Sequence, residues 1–330
     1  MSAPHIPVIG FTSAALWVPG AKILGDRDGD GEPAPDIINM TLAALDPRLT
    51  YTGPAHYYFN SAGVLTLSAE NEWPVEYRNG VPMGRHDPEP SATNILTSSR
   101  QFSALATTGL FNAVVTDAAG TGIDGTATSA MSMTVTPDTR GGYVRVSGGK
   151  ALAGEWFSFS VFYKKSDPVV IRTDIYDAAI CLMNASNFSF TETIAAGKTG
   201  HVDVESWGDW CRVTCSNLFL ADTTASLPAY CDMVRFLGSS QAGSPFTTLV
   251  DMMQIEKTEL STSPVTTTGA AATRTESSLT MDTTGVSYIV VGYSNGSSVN
   301  YDTPDDTFTF PTATENWGVR YISAIEVIPE

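Results

Sequence analysis

The chain is poor in charge, with 16% of its 330 residues ionisable as Asp, Glu, Lys or Arg, and basic residues are the scarcer kind, 18 against 35 acidic. The resulting formal charge of -17 repels phosphate backbones and anionic lipid, which excludes nucleic acid as a main partner. Cysteine is equally scarce. Cys181, Cys211, Cys215 and Cys231 lack the paired two-residue spacing of a zinc knuckle. On a strand Cys211 and Cys215 share a face about 13 Å apart, too far for a bridge, so buried free thiols are expected. No apolar run reaches the roughly 18 residues of a membrane-spanning helix, so membrane insertion is not expected. The opening MSAPHIPVIGFTSAALWVPG has no basic residue before Lys22 and is broken by Pro4, Pro7 and Pro19, unlike a secretory signal. Four histidines, His5, His56, His86 and His201, are scattered, with no nucleophile elbow or His-Glu-x-x-His pair to suggest a hydrolase.

What is present is apolar residues, 42% of the chain, enough for two or three compact units. Residues 1–50 read as an irregular docking arm with one strand, IPVIGF, and a short helix over IINMTLAAL before Pro47. Residues 51–90 alternate apolar bursts with turn signals at Ser61-Ala62-Gly63 and Asn79-Gly80, a pattern of β-hairpins. Residues 91–265 carry alternating segments such as AMSMTVTP, GGYVRVSG and EWFSFSVFYKK, spaced as in an antiparallel β-sandwich. In FSFSVFYKK, Phe157, Phe159, Val161 and Tyr163 share the core face, opposite Ser158, Ser160, Phe162 and Lys164. Residues 266–330 give a surface-hugging connector, part of STSPVTTTGAAATRTESS, then five strands of a small β domain with Asn295-Gly296 as a tight hairpin. The fold class is therefore all-β.

Four separated stretches carry a resemblance. AHYYFNSAGVLTLSAENEWPVEYRNGVPMG pairs an aromatic strand and a Gly-Val-Leu turn with a proline-led strand and a Gly hairpin. EPSATNILTSSRQFS, residues 89–103, opens the sandwich. GEWFSFSVFYKKS and ESWGDWCRVTCS supply its central and later strands. VDMMQIEKTELSTSPVTTTGAAATRTES, residues 250–277, closes it. In this order and spacing they resemble phage tail-fibre and other virion structural proteins that carry a carbohydrate-binding-module-like jelly roll. The resemblance implies a virion location, homotrimers and contact with bacterial surface polysaccharide; the first 50 residues fall outside it, and the irregular arm they form is expected to dock on other virion proteins. It does not supply a fixed set of ligand residues. The competing reading is a purely structural or decorating protein of the phage head, collar or tail.

Sugar binding uses exposed aromatic rings, because the apolar faces of pyranoses stack on π surfaces. Candidate platforms are Trp207, Trp210, Tyr176 and Trp317. Of these, Trp207 lies in a turn and Trp210 begins a strand. The run Asp26-Arg27-Asp28-Gly29-Asp30 alternates carboxylates before a Gly, as a Ca2+ loop does, with Asp36 close to its twelfth position; a solvated acidic turn is the alternative. GTGIDGTATSA lacks the Lys-Ser/Thr of a phosphate loop and reads as a loop between strands. No carboxylate pair stands out for glycosidase chemistry, so the chain is not expected to be an enzyme.

Overall fold

The computed structural model describes residues 35–330 apart from 106–107, 137–141, 150–154, 167–169, 176–178, 185–186, 195, 197–198, 220–228, 237–245 and 304. The described residues contain strands and turns and no helix, so none is long and apolar enough to cross a membrane. The chain begins with β1 (Asp36–Asn39) and β2 (Leu49–Thr52). Two small hairpins follow, β3 (Tyr57–Phe59) with β4 (Leu65–Leu67) and β5 (Glu76–Arg78) with β6 (Val81–Gly84). The middle supplies β7 (Ala92–Asn94), β8 (Thr108–Phe111), β9 (Ala113–Gly120), β10 (Ala130–Val135), β11 (Gly142–Gly149), β12 (Trp156–Lys164) and β13 (Val170–Ile175). It continues through β14 (Ala179–Asn184), β15 (Phe190–Ile194), β16 (His201–Trp207), β17 (Trp210–Phe219), β18 (Ala229–Phe236) and β19 (Phe246–Glu256). The last third supplies β20 (Ala272–Arg274), β21 (Ser278–Asp282), β22 (Val286–Tyr293), β23 (Ser298–Asp302), β24 (Thr307–Thr309) and β25 (Ile322–Pro329).

Two antiparallel sheets form the sandwich. One runs β16-β17-β12-β19-β10-β9, with β7 and β20 added beside β19; the other runs β15-β14-β13-β18-β11-β8. Between them lies a core that includes Phe157, Phe159, Val161 and Tyr163 of β12, Val213 of β17, Val144 and Val146 of β11, and Met183 of β14. The alternation read from the sequence thus points the expected residues inward. Cys181, Cys211 and Cys215 are buried free thiols of this core, and burial pushes the Cys181 thiol up to about 12, so it stays protonated. The GTGIDGTATSA segment is the loop between β9 and β10.

The opposite face of β12 departs from expectation. Ser158, Ser160 and Phe162 are buried as well, because the hairpins and the far end of the chain cover this side of the larger sheet. A second departure concerns IINMTLAAL, which forms strand β1 and a turn rather than a helix. An apolar run this short fits either period, and pairing decides it: Ile38 stands opposite Ile325 in β25. β2 likewise pairs with β21. The C-terminal unit is therefore built from both ends of the described chain, with Ile38, Met40, Leu49 and Tyr51 packed against Leu279, Met281, Ile289 and Ile325. Both expected Asn-Gly turns form. Asn79 and Gly80 hold φ of 53° and 77°, the left-handed pair that closes β5 to β6, and Gly296 at φ 85° closes β22 to β23.

Candidate functional site

The sequence places sugar platforms at Trp207, Trp210, Tyr176 and Trp317, and the structure corrects this. Trp207, Trp210 and Trp317 are 3%, 9% and 5% exposed and belong to one buried cluster with Phe59 and Phe162. Trp207 is stacked on Phe59 at 4.4 Å and 14° and on Trp317 at 5.6 Å and 22°. Gly318, at φ +92°, approaches so closely that a Cβ there would lie 2.9 Å from Trp207 Cη2. No ring face is left for a pyranose, because Trp207 ends strand β16 rather than lying in a turn, and residues far apart in sequence close over it. Tyr176 lies outside the described residues, as do Asp26, Asp28 and Asp30. Asp36 pairs with Arg48 at 2.8 Å, and no group of three or more His, Cys, Asp or Glu that could hold a metal occurs among the described residues.

The same covered face holds a dense ionic junction that the scattered histidines did not announce. His86 Nδ1 lies 3.0 Å from Glu76 Oε1, and His86 Nε2 lies 3.7 Å from Glu89 Oε2, which in turn pairs with Arg274 at 2.8 Å. His56 meets His86 edge to face at 4.5 Å. Glu76 also accepts the indole N–H of Trp317. The STSPVTT stretch, read from sequence as a surface connector, is wedged into this junction, with Ser261, Thr262, Ser263 and Thr267 buried. A buried loop must find partners for its backbone, and side chains supply them. Thr262 N–H donates to Glu256 (3.0 Å), Ser263 N–H to Glu89 (2.5 Å), Val265 N–H to Gln254 (2.6 Å) and Ser261 N–H to Asn316 (2.8 Å). Arg212 donates to Ser160, Ser261 and the Thr262 carbonyl, with its guanidinium 5.1 Å over the Trp317 ring. A cavity of only about 20 Å³ adjoins His86 and Glu89, room for a water but not for a sugar. The junction is a fastening between units, closed to substrate.

Its two histidines titrate in opposite senses. Burial, reinforced by neighbouring His86, lowers His56 from 6.5 to about 3. Burial also opposes charge on His86, but the Glu76 hydrogen bond and the Glu89 and Glu76 carboxylates outweigh it and hold its pKa above 6.5. His86 therefore stabilises the fold fully below its unfolded value and loses that contribution as pH rises through its folded value. His56 stays neutral in the fold while its unfolded form protonates, so it withdraws stability as pH falls from 6.5 toward about 3. The expected result in a melting series is a decline on the alkaline side of about pH 6.5 that His86→Gln flattens while lowering the plateau. An unchanged alkaline limb in that variant would remove His86 from the account.

A different aromatic group lies on the outer side of the smaller sheet. Val144 and Val146 turn into the core, so Tyr143 and Arg145 face outward. Phe111 stands opposite Tyr143 and Gly109 opposite Arg145. The Phe111 and Tyr143 rings stack at 5.8 Å and 28°, with the Arg145 guanidinium 4.6 Å over Tyr143. All three side chains are half-buried. In the register of the next strand, Arg235 stands opposite Tyr143 and Asp232 opposite Arg145. The sequence signal was the run GGYVRVSG, whose alternation marks two faces without saying which is covered. A separate open groove of about 500 Å³ is lined by hydroxyls, Asn71, Glu70 and Glu276, and carries no aromatic ring.

No protein-family model and no curated protein matches the chain. Among solved structures, one from work on the promiscuous specificity of carbohydrate-binding modules of the β-sandwich super family aligns with 68% of this chain and 98% of its own. It does so at 13% identity and a TM-score of 0.29, a likeness that leaves any functional reading to the geometry of the site itself.

Proposed function

We propose that this chain is a fibre or spike subunit of a bacteriophage particle whose β-sandwich contacts glycan on the bacterial surface. The observation that carries the glycan part is the outward-facing stack of Tyr143 on Phe111 with Arg145 above it. An outward aromatic pair offers apolar contact to the C–H side of a pyranose, and the guanidinium beside it adds positive charge for acidic groups. The virion part is supported by the four ordered sequence stretches and by an architecture made wholly of strands among the described residues. In this reading the chain binds and does not cleave: Glu76, Glu89 and Glu256, the carboxylates gathered at the junction, are buried and engaged with protein donors. Attachment to other virion proteins runs through the part of the expected arm that precedes β1, because β1 and β2 are built into the C-terminal unit, and a homotrimer multiplies shallow, weak contacts into useful avidity.

The test is binding of the full-length protein to a panel of bacterial capsular and lipopolysaccharide glycans, and to host cells before and after polysaccharide is stripped. Tyr143→Ala is expected to weaken binding to the selected glycan about tenfold, near 1.4 kcal/mol, with an unchanged melting temperature. Saturable binding indifferent to Tyr143 would move the site to another surface. Absence of binding by the assembled protein would favour a structural or decorating role, a reading supported by the use of all three described candidate tryptophans, Trp207, Trp210 and Trp317, for packing.

A further inference from the structure

We propose that Arg100, Asp124 and Asp251 form a proton-operated clasp that holds the β9–β10 loop, and with it the β3–β4 hairpin, on the covered face of the larger sheet. Val250 turns into the core between the sheets, so Asp251, next along β19, points to the opposite side. Its carboxylate is fully buried there. One oxygen accepts the Met252 N–H at 2.9 Å, and the other accepts the N–H of Ile123 in the β9–β10 loop at 3.0 Å. Arg100 bridges the two acids, with Nε 3.1 Å from Asp251 and Nη2 2.8 Å from Asp124. The loop closes so tightly that a Cβ on Gly122 would run into Ser129 Oγ and the Asp251 carboxylate. Ile123 carries the grip onward. Its carbonyl accepts the Leu65 N–H of β4 at 3.3 Å, and its side chain packs in the cluster of Phe59, Leu65 and Trp207.

The clasp holds one negative charge in excess, because two carboxylates share one guanidinium. The charged groups that face Asp251 are Arg100, from the segment before β8, and Asp124, from the loop. β12 places Phe162 opposite it, with Arg212 beyond that ring, and β10 places Met131 opposite neighbouring Val250. Burial raises the Asp251 carboxyl from 3.8 to about 6 against the pull of Arg100 and the two backbone donors, and the Asp124 charge adds to the rise. Burial also opposes charge on Asp124, but the Thr126 hydrogen bonds and Arg100 outweigh it and hold this carboxyl below 3.8. The proton therefore goes to Asp251 and leaves Arg100 and Asp124 as a matched pair. An open loop returns Asp251 to water and to its ordinary value. The closed form thus binds a proton that the open form releases, so the clasp is firmest in acid and weakens as pH rises from 3.8 through about 6. His56 acts in the opposite sense over the same range, so whole-chain melting mixes the two and a local readout is required.

The experiment is hydrogen–deuterium exchange of the full chain at about pH 4.5 and about pH 7.5, corrected for the pH dependence of chemical exchange. It is read in residues 57–67 and 121–129 and, as control, in β22 of the C-terminal unit. Protection of the Ile123 and Leu65 amides is expected to be about tenfold or more higher at the lower pH, with no such gain in β22. Asp251→Asn keeps the shape of the side chain without the titrating group and is expected to abolish the gain. Should that variant fail to fold, Asp124→Asn decides: it leaves the guanidinium to Asp251 alone, so the gain is expected to shrink and move to lower pH. Absence of the gain in the parent chain, or a gain of full size in either folded variant, would overturn the proposal.

Discussion

Replacing Glu89 by alanine is expected to destabilise the chain by about 3–5 kcal/mol, read as a fall in denaturation midpoint, the cost typical of removing one partner from a buried ion pair. Glu89 is 4% exposed and accepts from Ser263 N–H and Oγ while pairing with Arg274 at 2.8 Å. Arg274 and His86, with its hydrogen bond to Glu76, outweigh burial and hold the Glu89 carboxyl at about 2. Its removal leaves Arg274 charged in the interior and orphans the Ser263 N–H of the wedged loop. Glu89→Gln keeps an acceptor for the loop and is expected to lose less. The double variant Glu89→Met with Arg274→Met is expected to lose less than the sum of the two single changes, because it removes both charges together. Strict additivity would mean that the two residues do not act as a pair. The structural consequence is specific: Glu89 precedes β7, Ser263 follows β19 and Arg274 ends β20, so the same carboxylate ties the entry and exit of the sandwich to the hairpins beneath it.

Trp207→Ala is expected to cost about 3–5 kcal/mol, as large-to-small changes of buried aromatics do, and to disturb Phe59 and Trp317 together. This outcome separates a packing role from a ligand platform. An exposed sugar-stacking tryptophan could be truncated with little loss of stability and a large loss of affinity. Trp207 instead sits under Gly318 and beside the Arg78 guanidinium, 5.4 Å from the ring centroid, where truncation opens a cavity walled by the Gly318 backbone and the packed rings of Phe59 and Trp317. A variant with the parent's melting temperature and no glycan affinity would reverse the assignment and return the site to Trp207.

The outward Tyr143 surface and the buried Trp207 cluster differ in one respect that no local pattern records, namely what covers them. Both lie in alternating strands and both pair aromatics with an arginine. Trp207 closes a hairpin end that meets β3 and residues 316–318, while the outer face of β11 meets no comparable layer among the described residues. The histidines teach the same lesson. His56 and His86 are separated by intervening hairpins, and only the folding of those hairpins under the sandwich brings the rings to 4.5 Å. Carboxylates from Glu76 and Glu89 then complete the cluster.

Local order in the sequence was sufficient wherever the deciding interactions are short in range. The alternation of Phe157, Phe159, Val161 and Tyr163 set the core face of β12, because side chains on a strand alternate by backbone geometry alone. Asn79-Gly80 and Asn295-Gly296 set two hairpins, because few residues tolerate the left-handed backbone those turns require. The acidic composition set what the chain repels. Tertiary structure alone decided that β1 is a strand, since its partner Ala324–Val327 lies at the other end of the chain. It alone buried the tryptophans, turned a Ser/Thr-rich connector into an internal wedge, and left Tyr143 outward. Each of these depends on which second surface arrives to exclude water, and that is a property of the assembled chain rather than of any segment within it.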